Sequence, residues 1–468
     1  MERNTRIICT LGPRTNNEEG IRSLIEAGAN VFRMNMSHAQ HDQCREIAGI
    51  IRSISKELNR YVGILVDLQG PSIRTGNLDE DWQLEVGDKV EFRLAKAEAK
   101  QTYSTTVNYE AMMEDIEAGK ELVVDNGNIL MDIDDVDHER ATCTVKTSAK
   151  MTSRRHINLP GTALNLPALT EKDILDLKFA CEIEADFIAG SFVRDAAHVN
   201  QLRAKMIEFG GSSVIVSKIE DQQAIKNIKD IIKATDIIMV ARGDLGIEIH
   251  VEELPVIQRK IVKDCHEIGR RVIVATHMLE TMIDNPTPTR AEVTDVANAI
   301  FEGADAIMLS GETAVGKYPD RCVTIMDKIA RKIESSSHTM EFEKGNPLDT
   351  DRERTVNAAV TLAESHKDSS IVVFTRRGIM ANHVAIRRPK GKKVFAFTED
   401  EAVCRKLALS KAVRPVQIEF SDNPEETQKR AENYLIEQGL IEKGSTIVIV
   451  SDLFQEELKA DSVLFRQV

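Results

Sequence analysis

Short runs of apolar, mostly β-branched residues recur along the chain up to Thr313, and each ends in polar or small side chains. Most of the gaps between them carry apolar residues at helical spacing, as in NEEGIRSLIEAGA and QQAIKNIKDIIKAT. This alternation predicts βαβ units and a parallel sheet. Eight units predict an α/β fold whose centre is a (β/α)8 barrel, the TIM barrel. The eight runs are Arg6–Gly12, Asn30–Ser37, Val62–Gly70, Asp186–Phe192, Val214–Glu220, Asp236–Asp244, Val272–Leu279 and Ala306–Thr313.

Two further regions depart from this pattern and predict separate domains. Residues 71–158 follow the third run and carry short alternating pieces such as KVEFRL, ELVVD and ATCTVKT, which predict an inserted β-rich lid domain. The barrel is then discontinuous, over residues 1–70 and 159–345. A polar segment with Gly345, Asn346 and Pro347 predicts the next boundary. Residues 346–468 carry the runs IVVFT, KVFAFT, VRPVQIEF and STIVIVSD and predict a C-terminal α/β domain.

Composition narrows the class of protein. The net charge is -14, there is one Trp, and no Lys/Arg run outlines a nucleic-acid footprint. No apolar run approaches the length of a membrane span. The seven cysteines form no C-x-x-C pair, which argues against a zinc site or a disulfide framework. With no signal-peptide pattern in MERNTRIICTLG, a cytoplasmic location is expected.

Charged side chains stand at the ends of several predicted strands, where barrels carry their chemistry. Lys218 and Glu220 are two residues apart, so on a strand they share one face. Charges at the edge of an apolar interior are unfavourable unless they are paired or bound, so the alternatives are a structural ion pair and a ligand site. Glu220 and Asp244, from neighbouring strands, would offer oxygen ligands to Mg²⁺. Lys218 and Arg33 would face the same point and hold phosphate.

Seven motifs together resemble the pyruvate kinase family, in the family's order and from the first strand to the last domain. They are RMNMSH, DLQGPSIRTG, INLPG, SKIE, IMVARGDLGIEI, ATHMLETMIDNPTPTRAEVTDVANA and IMLSGETAVGKYP. The resemblance implies a barrel with an inserted lid and a C-terminal domain for regulation and assembly. It also implies phosphoryl transfer from phosphoenolpyruvate to ADP, giving ATP and pyruvate, the last step of glycolysis. A homotetramer is expected on the same ground.

The resemblance assigns catalytic and substrate-binding roles to matching positions. Glu220 and Asp244 resemble the divalent-metal ligands, for Mg²⁺ or Mn²⁺. Lys218 resembles the lysine that neutralises charge on the transferring phosphoryl group and the enolate oxygen. Arg33 resembles the arginine that grips the substrate phosphate. The alternative for Glu220 and Asp244 is an ordinary pair of acidic loop residues. For Arg33 the alternative is a salt bridge at the barrel rim, and for Lys218 a structural ion pair.

Further roles concern the substrate, a monovalent cation and the nucleotide. Thr276 resembles the threonine beside the carbon that is protonated, where a hydroxyl orients water, and its alternative is a β-branched strand residue. Gly243 and the turn that contains Asp244 bring backbone N–H groups near the substrate carboxylate. The proposed K⁺ ligands, whose alternative is a polar cluster, are Asn35, Ser37, Asp67 and the carbonyl of Leu68. The positions near ADP are Arg74, His38 and Arg155, and for the last two the alternative is solvated surface.

Four positions depart from the family pattern. Ser72 stands where K⁺-dependent relatives commonly have Glu and K⁺-independent ones Lys; because Ser supplies no internal cation, a K⁺ requirement is expected. His277 replaces the usual Gln. Asn126 replaces the second Asp of a DDG turn in the lid. His156 replaces the usual Gly and is expected to crowd the lid hinge beside Arg155.

The C-terminal domain is where effectors bind in this family. The stretch Thr375–Ala381, TRRGIMA, follows a predicted strand and opens a helix, a geometry that cradles phosphate. Arg376 and Arg377 add charge, and the alternative is that they form surface or subunit-interface pairs. The chain ends in SDLFQEELKADSVLFRQV, without the Gly-rich loop of regulated relatives, so weak or no activation by fructose 1,6-bisphosphate is expected.

The sequence leaves two alternative functions to be considered. One is a Mg²⁺-dependent C–C lyase acting on pyruvate or phosphoenolpyruvate, a class that typically lacks a lid domain and the Lys218 position. The other is a catalytically dead regulator that binds phosphorylated metabolites through its C-terminal domain. Intact Lys218, Glu220, Asp244 and Arg33 argue against the second.

Overall fold

The computed structural model describes residues 3–162, 164–336, 348–451 and 461–468. The first part of the chain forms three parallel strands and the helices between them. Strand β1 and its successors are buried on both faces, as their continuous apolar runs predict. The elements are β1 (Arg6–Thr10), α1 (Glu18–Ala27), β2 (Val31–Asn35), α2 (His41–Glu57) and β3 (Gly63–Asp67).

An all-β unit with one short helix follows β3. Its main sheet has seven strands in the order β4-β12-β8-β9-β10-β6-β7, and β5 pairs with β11 separately. Its own core includes Phe92, Leu122 and Met131. Its elements are β4 (Ile73–Arg74), β5 (Trp82–Leu84), β6 (Lys89–Arg93), β7 (Tyr103–Thr106), α3 (Met112–Asp115), β8 (Glu121–Val124), β9 (Ile129–Val136), β10 (Arg140–Val145), β11 (Ala149–Met151) and β12 (His156–Asn158). The inserted β-rich domain predicted from the sequence is therefore present.

The chain then returns and completes a closed barrel. The remaining elements are α4 (Glu171–Glu182), β13 (Phe187–Gly190), α5 (Ala196–Glu208), β14 (Val214–Ile219), α6 (Gln222–Lys226), α7 (Ile228–Ala234), β15 (Ile237–Ala241), α8 (Arg242–Glu248), α9 (Leu254–Ile268), β16 (Arg271–Ala275), α10 (Arg290–Phe301), β17 (Ala306–Leu309), α11 (Gly311–Ala314) and α12 (Pro319–Glu334). Single 3₁₀ turns lie at Val251–Glu253 and Glu280–Ile283. All eight barrel strands pair in parallel, in the order β1-β17-β16-β15-β14-β13-β3-β2.

Every barrel strand ends before its predicted run does. The clearest case is the run to Asp244, where the strand stops at Ala241 and helix α8 begins at Arg242. The polar residues at the ends of the runs therefore lie in the loops and first helical turns beyond the strands. This places them where parallel barrels carry ligand-binding groups.

The last domain packs helices around a five-stranded sheet in the order β20-β19-β18-β21-β22. Four of its strands were predicted, whereas β22, which pairs antiparallel with β21, was not. The predicted boundary at Gly345–Pro347 lies outside the described residues. The elements are α13 (Asp351–Ser365), β18 (Ser369–Phe374), α14 (Ile379–Ile386), β19 (Val394–Thr398), α15 (Glu401–Leu407), β20 (Val413–Gln417), α16 (Pro424–Glu437), β21 (Thr446–Ser451) and β22 (Ser462–Gln467).

Ion pairs join this domain to the end of the barrel opposite the strand carboxyl ends. Asp186, just before β13, accepts from Arg405 Nε at 3.0 Å and from Arg52 Nη2 at 2.8 Å. Asp305, just before β17, accepts both a 3.0 Å and a 3.1 Å hydrogen bond from Arg388 Nη2. Both carboxylates are almost fully buried. Because removing one partner of a buried pair leaves an uncompensated charge, these contacts hold the two domains in a defined arrangement.

His266 at this junction makes stability depend on pH. Its Nε2 lies 3.2 Å from the carbonyl oxygen of Gly303, and burial, reinforced by Arg388 and Lys411, lowers its pKa to about 2. An unfolded histidine has a pKa near 6.5, so the unfolded chain binds the proton preferentially below that pH. Folding stability therefore falls as the pH falls through about 6.5, by about 2 kcal/mol between pH 7.5 and 5 from this group.

We expect His266→Gln to remove the part of the pH dependence of folding stability that comes from His266, because the glutamine amide still donates a hydrogen bond but does not titrate. Urea unfolding at pH 7.5 and pH 5 measures it. An equal loss of stability on acidification in the parent and the variant would contradict the assignment.

No helix in the described ranges is both long and apolar enough to span a membrane. All seven cysteines are free thiols.

Candidate active site

Four charged residues predicted for the site meet at the carboxyl ends of β2, β3 and β14. Arg33 Nε and Nη2 each lie 2.6 Å from Asp67 Oδ2. Lys218 Nζ lies 2.7 Å from Glu220 Oε1 and 3.5 Å from Asp67 Oδ1. Asp67 and Glu220 are each 1% exposed. The structure therefore brings together two cations and two carboxylates at one buried point of the rim.

The loop after β13 supplies contacts that the sequence analysis did not assign. Lys218 Nζ donates to Ser191 Oγ at 2.7 Å, and Ser191 Oγ in turn donates to the carbonyl of Leu68 at 2.8 Å. The backbone N–H of Phe192 donates to Glu220 Oε2 at 2.6 Å. Their position at the end of a predicted strand was the only feature of the sequence that could have pointed to Ser191 and Phe192. From the loop after β13, these two residues fix the positions of Lys218 and Glu220 at the end of the neighbouring strand β14.

The charges of this cluster shift one another's titration. Burial lowers the pKa of Lys218, but attraction to Asp67 and Glu220 outweighs it, and the net pKa is raised. Burial raises the pKa of Asp67, yet Lys218 and Arg33 reverse this and leave it lowered. Glu220 has a raised pKa, because burial and repulsion from Asp244 together outweigh the attraction of Lys218. Lys218 is therefore strongly held in its charged form. The positive charge around Glu220 does not fully offset its burial and its repulsion from Asp244.

Asp244 has the chemistry to complete a metal site with Glu220. It lies in the first turn of α8, and within the described ranges its carboxylate has no hydrogen-bond or ion-pair partner. No group of three His, Cys, Asp or Glu side chains among the described residues is arranged to hold a metal alone. A hard divalent cation that keeps several waters and is held by two carboxylates fits this donor set, because Mg²⁺ binds in that way. It would also relieve the repulsion between Glu220 and Asp244.

Thr276 lies just beyond β16 in a strained backbone conformation. Its φ is 67°, in the left-handed region that β-branched residues avoid, and His277 follows at 53°. Thr276 Oγ1 accepts from the Gly243 N–H at 2.7 Å and donates to the Ala275 carbonyl at 2.6 Å. Thr276 is therefore not a strand residue, and the Gly243 amide is already occupied by its hydroxyl. A strained residue of this kind persists only where its surroundings hold it.

Arg242 supplies the contacts that hold this turn. Its guanidinium donates to the carbonyl oxygens of Thr276 at 2.5 Å and 3.1 Å and of His277 at 3.2 Å. Its Nη1 donates to Asp295 Oδ1 at 2.8 Å. Asp295 lies on α10, whose first turn is closed by the reciprocal capping box of Thr289 and Glu292. The motif PTRAEVTDVANA is thus linked to the turn at Thr276 through Asp295 and Arg242.

We expect Asp295→Asn to lower kcat by roughly tenfold to a hundredfold, because a small misplacement of a positioned group has effects of this size. Loss of the ion pair would release Arg242 and with it the backbone at Thr276. Steady-state kinetics measure the change. The control is Asp284→Asn, which removes an exposed pair with Lys317. Equal kcat values in the two variants would contradict the role of Asp295.

The four proposed K⁺ ligands lie together at the ends of β2 and β3. Asn35 Oδ1 accepts from the Ser37 N–H at 3.2 Å, and the Asp67 carbonyl accepts from the Met36 N–H at 3.0 Å. The Asp67 carboxylate is shared with Arg33 and Lys218, and the Leu68 carbonyl accepts from Ser191. All four are oxygen donors, which suits a monovalent cation, and each also belongs to a hydrogen-bonded polar cluster. The contacts are compatible with both interpretations of the sequence.

The three positions proposed for ADP are less closely grouped. Arg74 Nε donates to Ser72 Oγ at 3.2 Å and its Nη1 to the Arg154 carbonyl at 3.2 Å. Arg155 pairs with Asp125 inside the inserted domain at 3.1 Å. His38 is exposed on the loop after β2. No contact in the described part of the chain joins Arg155 or His38 to the Lys218 cluster.

The unusual residues of the lid have local explanations. Asn126 has a φ of 55° in a turn with Asp125 and Gly127, and asparagine tolerates this conformation better than most residues. His156 lies near the ring of Phe192 with centroids 5.8 Å apart. Burial lowers the pKa of His156 to about 4 despite the attraction of Asp244, so the ring is neutral at pH 7. His156 therefore adds bulk, but no charge, at the hinge.

Comparisons with known proteins agree along the whole chain. The family model "Pyruvate kinase, barrel domain" matches residues 2–323, and "Pyruvate kinase, alpha/beta domain" matches residues 353–462. Plastidial pyruvate kinase 2 of Arabidopsis thaliana is 39% identical over 453 residues, covering 96% of this chain and 78% of the relative. The pyruvate kinase of Clostridium acetobutylicum is 36% identical over 452 residues, covering 96% of this chain and 95% of the relative. A crystal structure of a pyruvate kinase from Cryptosporidium parvum is similar with a TM-score of 0.92 and 31% identity, covering 99% of this chain and 96% of that one.

Proposed function

The chain belongs to the pyruvate kinase family of phosphotransferases, which convert phosphoenolpyruvate and ADP to pyruvate and ATP, and we propose that the Lys218 cluster carries this reaction. The observation that supports this proposal most strongly is a buried cluster of ion pairs at the barrel rim, formed by Lys218, Arg33, Asp67 and Glu220. The agreement over the whole chain, together with the inserted domain, decides against the lyase alternative.

Lys218 and Arg33 supply the positive charge that phosphoryl transfer needs. Catalysis of this transfer is mostly positioning and electrostatic stabilisation, so a cation fixed by Ser191, Asp67 and Glu220 acts without reorganising. Lys218 neutralises the phosphoryl group in transfer and the enolate oxygen that it leaves. Arg33, held by Asp67 and by Thr10 at 3.1 Å, binds the substrate phosphate.

Glu220 and Asp244 would hold a divalent cation, Mg²⁺ or Mn²⁺. When bound, the ion supplies charge neutralisation on the phosphate oxygens. The support is the repulsion between the two carboxylates, together with the lack of any hydrogen-bond or ion-pair partner for the Asp244 carboxylate among the described residues. The backbone N–H groups of the turn that contains Asp244 would approach the substrate carboxylate, although the Gly243 N–H already donates to Thr276 Oγ1. Thr276 Oγ1, bonded to the Gly243 N–H, orients water for protonation of the methylene carbon.

The monovalent cation site and the nucleotide contacts complete the proposal. Asn35, Ser37, Asp67 and the Leu68 carbonyl would hold K⁺. Arg74, His38 and Arg155 would meet ADP once the inserted domain closes over the barrel rim, since lid closure excludes water from such sites. Arg155 would then exchange its pairing with Asp125 for the nucleotide phosphates.

We expect turnover to depend on K⁺, because the Ser72 hydroxyl provides no cation in its place. The experiment is the initial rate of pyruvate formation from phosphoenolpyruvate, ADP and Mg²⁺ in Na⁺-free buffer, with and without K⁺. Strong turnover without K⁺ would keep the kinase and overturn the cation site. No turnover in either buffer would favour the regulator instead.

An effector site at Thr375–Ala381 is the next part of the proposal. Gly378 caps α14 with a φ of 77°, and Arg376 and Arg377 before it are exposed. A phosphorylated effector fits a helix start flanked by two arginines. Residues 452–460 lie outside the described residues. A large leftward shift of the phosphoenolpyruvate saturation curve by fructose 1,6-bisphosphate would contradict the expected weak response.

Two further proposals concern assembly and location. A homotetramer is supported by exposed apolar side chains on two surfaces, Val251 and Val256 around the start of α9 and Leu464 and Phe465 on the edge strand β22. Light scattering after size exclusion tests it, and a monomer at micromolar concentration would overturn it. A cytoplasmic location is supported by the seven free thiols.

A further inference from the structure

A lysine on a barrel helix reaches into the loop that follows β2. Lys172 lies in the first turn of α4, and its Nζ donates to the carbonyl oxygen of Met36 at 2.7 Å. The same Nζ lies 2.6 Å from Asp176 Oδ2, one helical turn further along. A Lys–Asp pair four residues apart on a helix is ordinarily a weak surface pair. The contact with Met36 is different, because it crosses from α4 to the loop that begins directly after Asn35 and carries Ser37.

The Met36 carbonyl belongs to a peptide unit that is held at both ends. Its carbonyl oxygen accepts from Lys172, and its nitrogen, the N–H of Ser37, donates to Asn35 Oδ1 at 3.2 Å. A peptide unit is planar and turns as one rigid body, so these two bonds together set its orientation. A cation on Asn35 Oδ1 would compete for the oxygen that holds the nitrogen end. Lys172 would then be the stronger remaining anchor of the unit.

The ammonium group of Lys172 is itself held by a contact between two helices. The side chain of Asp176 is 3% exposed, and its Oδ1 lies 2.7 Å from Nε2 of His41, the first residue of α2. The His41 ring stacks on Phe179 with centroids 4.4 Å apart and planes 3° apart. A chain of polar contacts therefore connects α4, α2 and the loop after β2 through Lys172, Asp176 and His41. A group positioned in this way loses little further freedom when a ligand binds.

We propose that Lys172 is a positioning residue for the monovalent cation, acting through the Met36–Ser37 peptide unit on Asn35 and Ser37. The inference rests on the cation site proposed above and adds a residue that touches neither the cation nor the substrate. Groups that orient metal ligands from outside the ligand shell typically change metal affinity by roughly tenfold to a hundredfold when they are removed. Loss of Lys172 is therefore expected to weaken cation binding by roughly tenfold.

The first test is a binding measurement without substrates. Thermal unfolding is followed while KCl replaces tetramethylammonium chloride at constant ionic strength, since a ligand of the folded state raises Tm with its concentration. For Lys172→Met the K⁺ concentration that gives the half-maximal Tm shift should rise roughly tenfold. Lys172→Arg, which keeps the charge and a donor, should restore part of the affinity. Lys178→Met is the matched control, because Lys178 is exposed on the same helix and makes no hydrogen bond or ion pair with described residues.

The second readout is the K⁺ dependence of turnover. The half-activating K⁺ concentration of Lys172→Met should rise by the same factor as in the binding measurement, with a smaller change in kcat at saturating K⁺. Lys172→Gln, which is shorter and uncharged, answers the same question if Lys172→Met does not fold. A K⁺ response that is equal in the parent and in these variants overturns the inference alone. A parent that shows neither a K⁺-specific Tm shift nor activation overturns the cation site and the inference with it.

Discussion

Replacing Lys218 by methionine should lower kcat by at least roughly a thousandfold, the largest effect expected of any single change in this chain. Its Nζ is the cation that lies 2.7 Å from Glu220 and 2.7 Å from Ser191 at the point where the phosphoryl group would sit. A methionine of similar length fills the space without the charge. Single-turnover formation of pyruvate separates this chemical step from substrate binding and product release.

Stability has to be measured beside activity, because Lys218 also compensates two buried carboxylates. Leaving Asp67 and Glu220 without this cation is expected to destabilise the fold by about 3–5 kcal/mol. Lys218→Arg keeps the positive charge and is the control for folding, while its larger group displaces the charge from the transfer position. A folded Lys218→Met enzyme with more than a tenth of the parent's kcat would contradict the proposed role.

Replacing Glu220 by glutamine should weaken divalent-metal binding by at least roughly tenfold, and turnover at a fixed metal concentration should fall with it. The amide removes one of the two anionic ligands and leaves Asp244 alone with Lys218 nearby. Free Mn²⁺, counted by electron paramagnetic resonance in the absence of substrates, measures the affinity directly. Raising the Mn²⁺ concentration should recover part of the lost rate.

The neighbouring Asp221 offers a matched control. Its side chain caps α6, with Oδ1 accepting from the Ala224 N–H at 2.7 Å, and it has no proposed role at the metal. Asp221→Asn keeps an acceptable cap and should leave Mn²⁺ affinity close to that of the parent. If Glu220→Gln and Asp221→Asn bind Mn²⁺ equally well, the metal lies elsewhere.

Much of the fold could be predicted because it depends on local patterns. The eight β-branched runs and the helical spacing between them require only neighbouring residues, and all eight appear as parallel strands of one closed barrel. The edge strand β22 was missed because four of its six residues are exposed and it lacks the apolar run of a buried strand. The predicted strands were also too long at their carboxyl ends. After Ala241, for example, a helix begins directly, and the small and polar residues there gave no signal of it.

The site could be predicted in part, through single residues at strand ends. Lys218, Glu220 and Asp244 were placed at the rim from spacing and position alone, and the structure brings Lys218 and Glu220 together there with Arg33 and Asp67. The contacts of Ser191 and Arg242 could not be predicted in the same way. They join segments that are distant in the chain, and a hydroxyl or a guanidinium at a strand end has many possible partners until the barrel closes.

The sequence by itself determined the order of elements, the inserted and C-terminal domains, and the residue types available at the barrel rim, because apolar periodicity and turn chemistry act over a few residues. Only the tertiary structure decided which charges meet. Barrel closure brings Asp67 between Arg33 and Lys218, and the approach of α10 lets Asp295 and Arg242 hold Thr276 at a φ of 67°. Such contacts depend on strand register, side-chain direction and burial, which are set when distant segments pack together.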